Sequence, residues 1–208
     1  MEFKIPFSGR AHAYTEEEIN TVVEAMREAN PLTQGKHLKS FEKKFCNYIG
    51  AKHAFAVFNA TAALEMSAQL CQFQPGDEVI VPSHTFTSTA YPFAKKGARI
   101  IWADIDLKTR VVTAQTLADR ITPKTKAMVI PHLYGYGADM SGILELAKRH
   151  NLLTIEDAAQ VLGVEIDEKK AGTFGDFGIF SFHSHKNITT LGEGGMLLVK
   201  DETPANII

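Results

Sequence analysis

The chain has no apolar run approaching the ~20 residues that span a bilayer, only two cysteines, one tryptophan and almost no net charge. Each shortage removes a class of protein. Met1-Glu2-Phe3-Lys4-Ile5-Pro6 offers no apolar signal core, so neither export nor membrane insertion is expected, and the expected location is the cytoplasm. Cys46 and Cys71 read as reduced small hydrophobes rather than a disulfide staple. A formal net charge of -2 and a pI near 6.4 supply no basic face for nucleic acid and no acidic tail. There is no internal repeat and no low-complexity tract. What remains is 208 residues of ordinary composition, enough to bury roughly 70% of the unfolded surface without staples.

Thr15 and Glu18 have capping-box spacing, and Ile19, Val22, Val23 and Met26 follow at helical intervals until Asn30-Pro31. Leu38, Phe41, Phe45 and Tyr48 mark a second helix that stops at Gly50. Both are expected to pack on the core. Beyond residue 50 the pattern changes to apolar runs at 54–58, 78–82, 99–103, 127–131, 152–156, 178–182 and 195–199, separated by helix-length segments. The expectation is an α/β fold in three layers (α/β/α), with a mostly parallel sheet of about seven strands buried on both faces. Open sheets of this kind bind ligands beyond the carboxyl ends of their strands, where Asn59, Ser83, His132, Asp157 and His183 fall.

Three of those ends carry side chains suited to one chemistry. Asp157 closes the most apolar strand, and a carboxylate buried there requires a partner. The protonated nitrogen of a pyridine ring is one such partner: at ~4 Å and an effective dielectric near 20 the pair is worth about 4 kcal/mol before desolvation. Lys186 follows an aromatic strand and precedes Gly192-Glu193-Gly194-Gly195, a setting in which local desolvation favours a nucleophilic amine. Thr61 and Ala62 open a helix after the first strand, so their N–H groups and the Thr61 hydroxyl can meet a phosphate, and Ser181 can add a hydroxyl. A buried acid, a lysine and a phosphate cup are the requirements of pyridoxal phosphate.

Plainer readings stand beside these: Thr61 as a helix cap, Asp157 as a cap of the segment after it, Gln160 as a polar surface residue, Phe86 as core. His183 and His185 share a side in an extended segment, but no third and fourth zinc ligands accompany them, so no metal is expected. Tyr134-Gly135-Tyr136-Gly137-Ala138-Asp139-Met140 lacks the third glycine of a dinucleotide loop.

Taken in order, Pro31-Leu32-Thr33-Gln34-Gly35, the stretch 59–66, Pro75-Gly76-Asp77, Thr85-Phe86, Pro131-His132-Leu133-Tyr134-Gly135, Glu156-Asp157-Ala158-Ala159-Gln160 and Ser181-Phe182-His183 through Lys186 to Gly195 resemble the DegT/StrS-type sugar-nucleotide aminotransferases, fold type I pyridoxal phosphate enzymes. The resemblance implies roles by position. Lys186 would be the Schiff-base lysine, Asp157 the partner of the ring nitrogen, Gln160 a contact of the ring oxygen and Phe86 a stacking ring. Thr61, Ala62 and Ser181 would hold the phosphate. It further implies a homodimer that moves an amino group from glutamate to a nucleotide-linked keto-sugar, in surface-polysaccharide or deoxysugar synthesis, with no nucleic-acid or membrane partner. A few relatives carry histidine at the lysine position and dehydrate the sugar; Lys186 places this chain outside that branch. Residues 1–208 correspond to the cofactor-binding large domain, with N-terminal helices over 1–50 and the sheet with crossover helices over 51–208. Because the family usually continues into a smaller C-terminal domain, a truncated, non-catalytic cofactor-binding or interaction fragment is the alternative expectation.

Overall fold

The computed structural model describes residues 13–208, so the N-terminal segment read above for an export signal lies outside the described residues. The first helix, α1 (Glu16–Glu28), starts at the expected capping box: Glu18 N–H donates to Thr15 Oγ1 at 3.2 Å and Thr15 N–H donates to Glu18 Oε2 at 2.7 Å. It buries none of its residues, contrary to the expected core packing, and Met26 is 75% exposed. A helical stripe of apolar residues shows which face could be covered, not that this part of the chain covers it. The second helix, α2 (Lys36–Ile49), does pack, burying Phe45 and Ile49, and ends at Gly50 with φ +82°. Both cysteines are free thiols.

The sheet strands are β1 (His53–Val57), β2 (Glu78–Pro82), β3 (Arg99–Ala103), β4 (Thr125–Pro131) and β5 (Leu153–Asp157), followed by a two-stranded ribbon, β6 (Glu165–Ile166) and β7 (Lys169–Lys170), and then β8 (Phe177–Ser181) and β9 (Gly195–Val199). Seven of them form one sheet in the order β1-β9-β8-β5-β4-β2-β3. Only the pairings of β9 with β1 and with β8 are antiparallel; the other four are parallel.

Alternating side chains divide the core between the two faces, as a pleated strand requires. Val79, Val81, Ile179 and Leu197 meet α3 (Ala60–Leu70) and α4 (Tyr91–Lys95) on one side. Ile80, Met128 and Ile130 meet α5 (Ala114–Ala118) and α6 (Met140–His150) on the other, where Phe180, Phe182 and Met196 receive α2. The edge strand β3 departs from the expected two-sided burial, with Arg99 and Trp102 exposed. A short helix, α7 (Glu202–Ala205), follows β9.

Candidate active site

Because six of the seven strands point the same way, the ends of β1, β2, β4, β5 and β8 and the start of the reversed β9 lie along one edge, and the loops leaving them surround a cavity of about 430 Å³. Thr61, Phe86, Asp157, Gln160, Ser181 and Lys186 all line it. Six of the seven expected site residues therefore meet in one hollow.

The seventh, Ala62, does not line the cavity: it is buried, and its N–H donates to Asn59 Oδ1 at 3.0 Å. Asn59, not Thr61, is thus the cap of α3. The cap leaves the N–H groups of Ala60 and Thr61 without an intrahelical acceptor at the positive end of the helix dipole, and both residues line the hollow. Gly195 allows this helix end to sit so close to β9, since a Cβ there would lie 2.5 Å from the Asn59 carbonyl carbon and 2.7 Å from Ala60 N.

Lys186 sits in the loop from β8 to β9, which is pinned at its base by Phe182 N–H to Gly194 O at 2.8 Å and Ser184 N–H to Gly192 O at 2.9 Å. Its own N–H closes a turn onto His183 O at 2.8 Å, so this half-buried lysine is carried on a braced turn. Ser181 Oγ accepts a weak bond from His183 N–H at 3.4 Å. Phe86 precedes a single turn of 3₁₀ helix, Thr87–Thr89, and is 70% exposed, so it is a free aromatic face at the rim rather than a core ring.

Asp157 is 8% exposed. Its Oδ2 accepts the Thr89 hydroxyl at 2.7 Å, and its Oδ1 has only a long bond from Ala159 N–H at 3.3 Å. Burial pushes this carboxyl above the usual carboxylate range; the Thr89 hydroxyl, the Ala159 N–H, His132 and Lys186 pull it back. An under-bonded buried carboxylate facing a cavity is suited to a cationic N–H donor, so the donor set fits the pyridine end of pyridoxal phosphate. The free helix N–H groups and the Ser181 hydroxyl fit its phosphate end.

Two further residues of the site, Thr89 and His132, carry no role that the sequence alone assigns. The Ala138 N–H donates to His132 Nδ1 at 3.0 Å, so the ring proton resides on Nε2 and is donated to Glu156 Oε2 at 3.0 Å. Glu156, fully buried, also accepts the N–H groups of Gly172 at 2.8 Å and of Phe174 and Gly175 at 2.6 Å. His132 is thereby held rigidly in the cavity wall. Only strand-end position could have pointed to it in sequence; nothing local marks Thr89. His183 and His185 do lie together, with rings 5.1 Å apart, but in a turn. Among the described residues no group of three or more His, Cys, Asp or Glu is placed to hold a metal ion. Gly135 sits in a tight turn closed between Leu133 and Tyr136, and Gly137 follows it ahead of α6, so the segment is not a dinucleotide loop.

A doubly covered sheet with a lysine and a buried acid lining one hollow at its carboxyl edge is the architecture of fold type I cofactor enzymes. Residues 13–208 match the DegT/DnrJ/EryC1/StrS aminotransferase family, and the chain belongs to that family. It is 46% identical over 168 residues to a GDP-perosamine synthase of Caulobacter vibrioides, covering 81% of this chain and 45% of that protein. The aminotransferase from Psychrobacter cryohalolentis superposes with a TM-score of 0.91 at 36% identity, covering 96% of this chain and 51% of that one. A GDP-4-keto-6-deoxy-D-mannose-3-dehydratase from E. coli, solved with bound hydrated PLP, superposes with a TM-score of 0.88 at 27% identity, covering 94% and 51%. Pyridoxal phosphate is the cofactor that this family membership indicates. The chain spans about half the length of the relatives it matches.

Proposed function

We propose that this chain is the cofactor-holding part of an aminotransferase that moves an amino group from glutamate to the ketone of a nucleotide-linked sugar, working as a homodimer in the cytoplasm in surface-polysaccharide or deoxysugar synthesis. The observation that carries the reading is the convergence of Lys186 and Asp157 on one cavity beside the open N-terminus of α3. The similarity to a GDP-perosamine synthase supports the nucleotide-sugar substrate class.

When bound, pyridoxal phosphate supplies an electron sink conjugated to the nitrogen being moved. Asp157 would hold a proton at the ring nitrogen, which would keep that sink strong, and Thr89 fixes the carboxylate for it. Lys186, which lines the same hollow, would hold the group through its amine and would be the residue placed to move a proton at the reacting substrate carbon. Ala60 and Thr61 N–H groups and the Thr61 and Ser181 hydroxyls would hold the phosphate, Phe86 would cover a ring face, and Gln160 would offer its amide to the ring oxygen. Ala62 supports this cup indirectly, through its bond to Asn59.

The test is a two-stage titration. Added pyridoxal phosphate should give the visible band of a lysine-bound cofactor, and glutamate should then replace it with the pyridoxamine phosphate spectrum. Absence of the first band refutes the assignment. The coverage of only half of each relative favours a second reading, in which these 208 residues hold cofactor without transferring nitrogen; it is marked by the first band persisting in glutamate.

A further inference from the structure

Beside the cofactor cavity lies a second hollow of about 370 Å³, lined by Tyr134, Gly135, Gln160, His185, Lys186 and Asn187. It shares Gln160, His185 and Lys186 with the cavity, so whatever fills it sits against the reacting amine. Tyr134 stands at its wall in a tight turn closed by Leu133 N–H to Tyr136 O at 3.1 Å and Tyr136 N–H to Leu133 O at 2.8 Å. Both central residues have positive φ, +54° for Tyr134 and +85° for Gly135, as a type I′ turn requires.

Glycine or asparagine is the ordinary choice at such a position, and a bulky side chain is rarely tolerated there. The turn nevertheless presents a tyrosine that is 69% exposed, whose ring contact within the protein is His84, with centroids 6.3 Å apart. The strained residue is fixed from below: Tyr134 N–H donates to Gln160 Oε1 at 3.0 Å. That bond also leaves the Gln160 amide nitrogen for the cavity, so one side chain ties the turn to the cavity wall. Backbone strain held in place beside a reactive group is characteristic of binding sites.

We propose that Tyr134 is a specificity-determining contact for the amino acceptor, its ring packing against the hydroxylated six-membered ring of the sugar whose carbonyl carbon is presented to Lys186. The inference rests on the aminotransferase reading. Its sugar assignment follows from position: the reacting ring, and not the remote nucleotide, must occupy the hollow that Lys186 lines. The walls suit such a ring, since an aromatic face receives its C–H edge while the Asn187 amide and the His185 imidazole supply polar groups for its hydroxyls.

Binding of GDP-4-keto-6-deoxymannose and of plain GDP to the cofactor-loaded protein tests this. Tyr134→Gly preserves the turn, because glycine favours positive φ, so lost binding is not lost folding. The variant should keep the visible cofactor band and bind GDP unchanged, while binding the keto-sugar about five- to tenfold more weakly. Tyr136→Ala, on the same turn but outside both hollows, should bind both ligands as the parent does. Unchanged keto-sugar affinity in Tyr134→Gly, an equal loss for GDP, or a cofactor-loaded parent that ignores the keto-sugar would overturn the proposal. A parent without the cofactor band would instead sink the aminotransferase reading, and this inference with it.

Discussion

Thr89 donates its hydroxyl proton to Asp157 Oδ2 at 2.7 Å, joining residues 68 positions apart in the chain. Thr89 is fully buried, and since its own proton is committed to Asp157, the Thr85 hydroxyl donates to Thr89 Oγ1 at 2.9 Å. The loop after β2 thus positions the carboxylate at the end of β5. Thr89→Val keeps the shape and removes the donor, leaving a buried carboxylate oxygen unsatisfied. The expected cost is about 1–3 kcal/mol of stability in urea unfolding, together with weaker pyridoxal phosphate binding. Thr89→Ser should recover most of both.

The raised Asp157 carboxyl has a consequence for pH. With its folded-state value above that of the unfolded chain, the folded protein binds the proton more tightly. The stability from this group is therefore complete below the ordinary carboxylate range and is lost as pH rises through the raised value. Asp157→Asn removes that loss, so the cofactor-free variant should melt higher than the parent at neutral pH and match its trend only in acid. The same variant should bind pyridoxal phosphate more weakly, because a neutral amide lacks the charge that stabilises a protonated ring nitrogen. Melting curves against pH, with and without cofactor, separate the two effects.

Glu156 makes four hydrogen bonds, all as acceptor. Glu156→Gln places an N–H₂ group against donors that have no alternative: the His132 proton cannot move to Nδ1 without losing the Ala138 bond. The expected destabilisation is about 3 kcal/mol in urea unfolding. Nitrogen chemical shifts of His132 in the parent should show a protonated Nε2 and a bare Nδ1.

Gly195→Ala drives a methyl group into Asn59 and Ala60. Because those residues are backbone at the start of α3, they yield only by moving the helix end. The variant should lose about 1–3 kcal/mol of stability and, in equilibrium titration, bind pyridoxal phosphate about tenfold more weakly.

How much of this was legible in sequence depended on what each feature needs. Strands announce themselves as continuous apolar runs, so β2, β3 and β9 fall on the expected residues and β1, β4, β5 and β8 within two. The fold class followed from them. The α1 stripe carried the same hydrophobic signal as α2, yet only α2 finds aromatic partners, Phe45 lying 5.1 Å from the Phe180 ring. The cap of α3 is ambiguous in sequence because Asn59 and Thr61 are both capping residue types, and only the backbone geometry decides between them. Thr89, His132 and Tyr134 acquire meaning through partners distant in the chain, such as Asp157, Glu156 and Gln160, and no local pattern encodes such pairs.

The central claim is a covalent bond at one lysine, and peptide mapping reads it directly. After incubation with pyridoxal phosphate and reduction with borohydride, digestion and mass spectrometry should find the phosphopyridoxyl group on the peptide containing Lys186, and its yield should collapse in Lys186→Ala. Modification of Lys169 or Lys170 with Lys186 untouched would contradict the account.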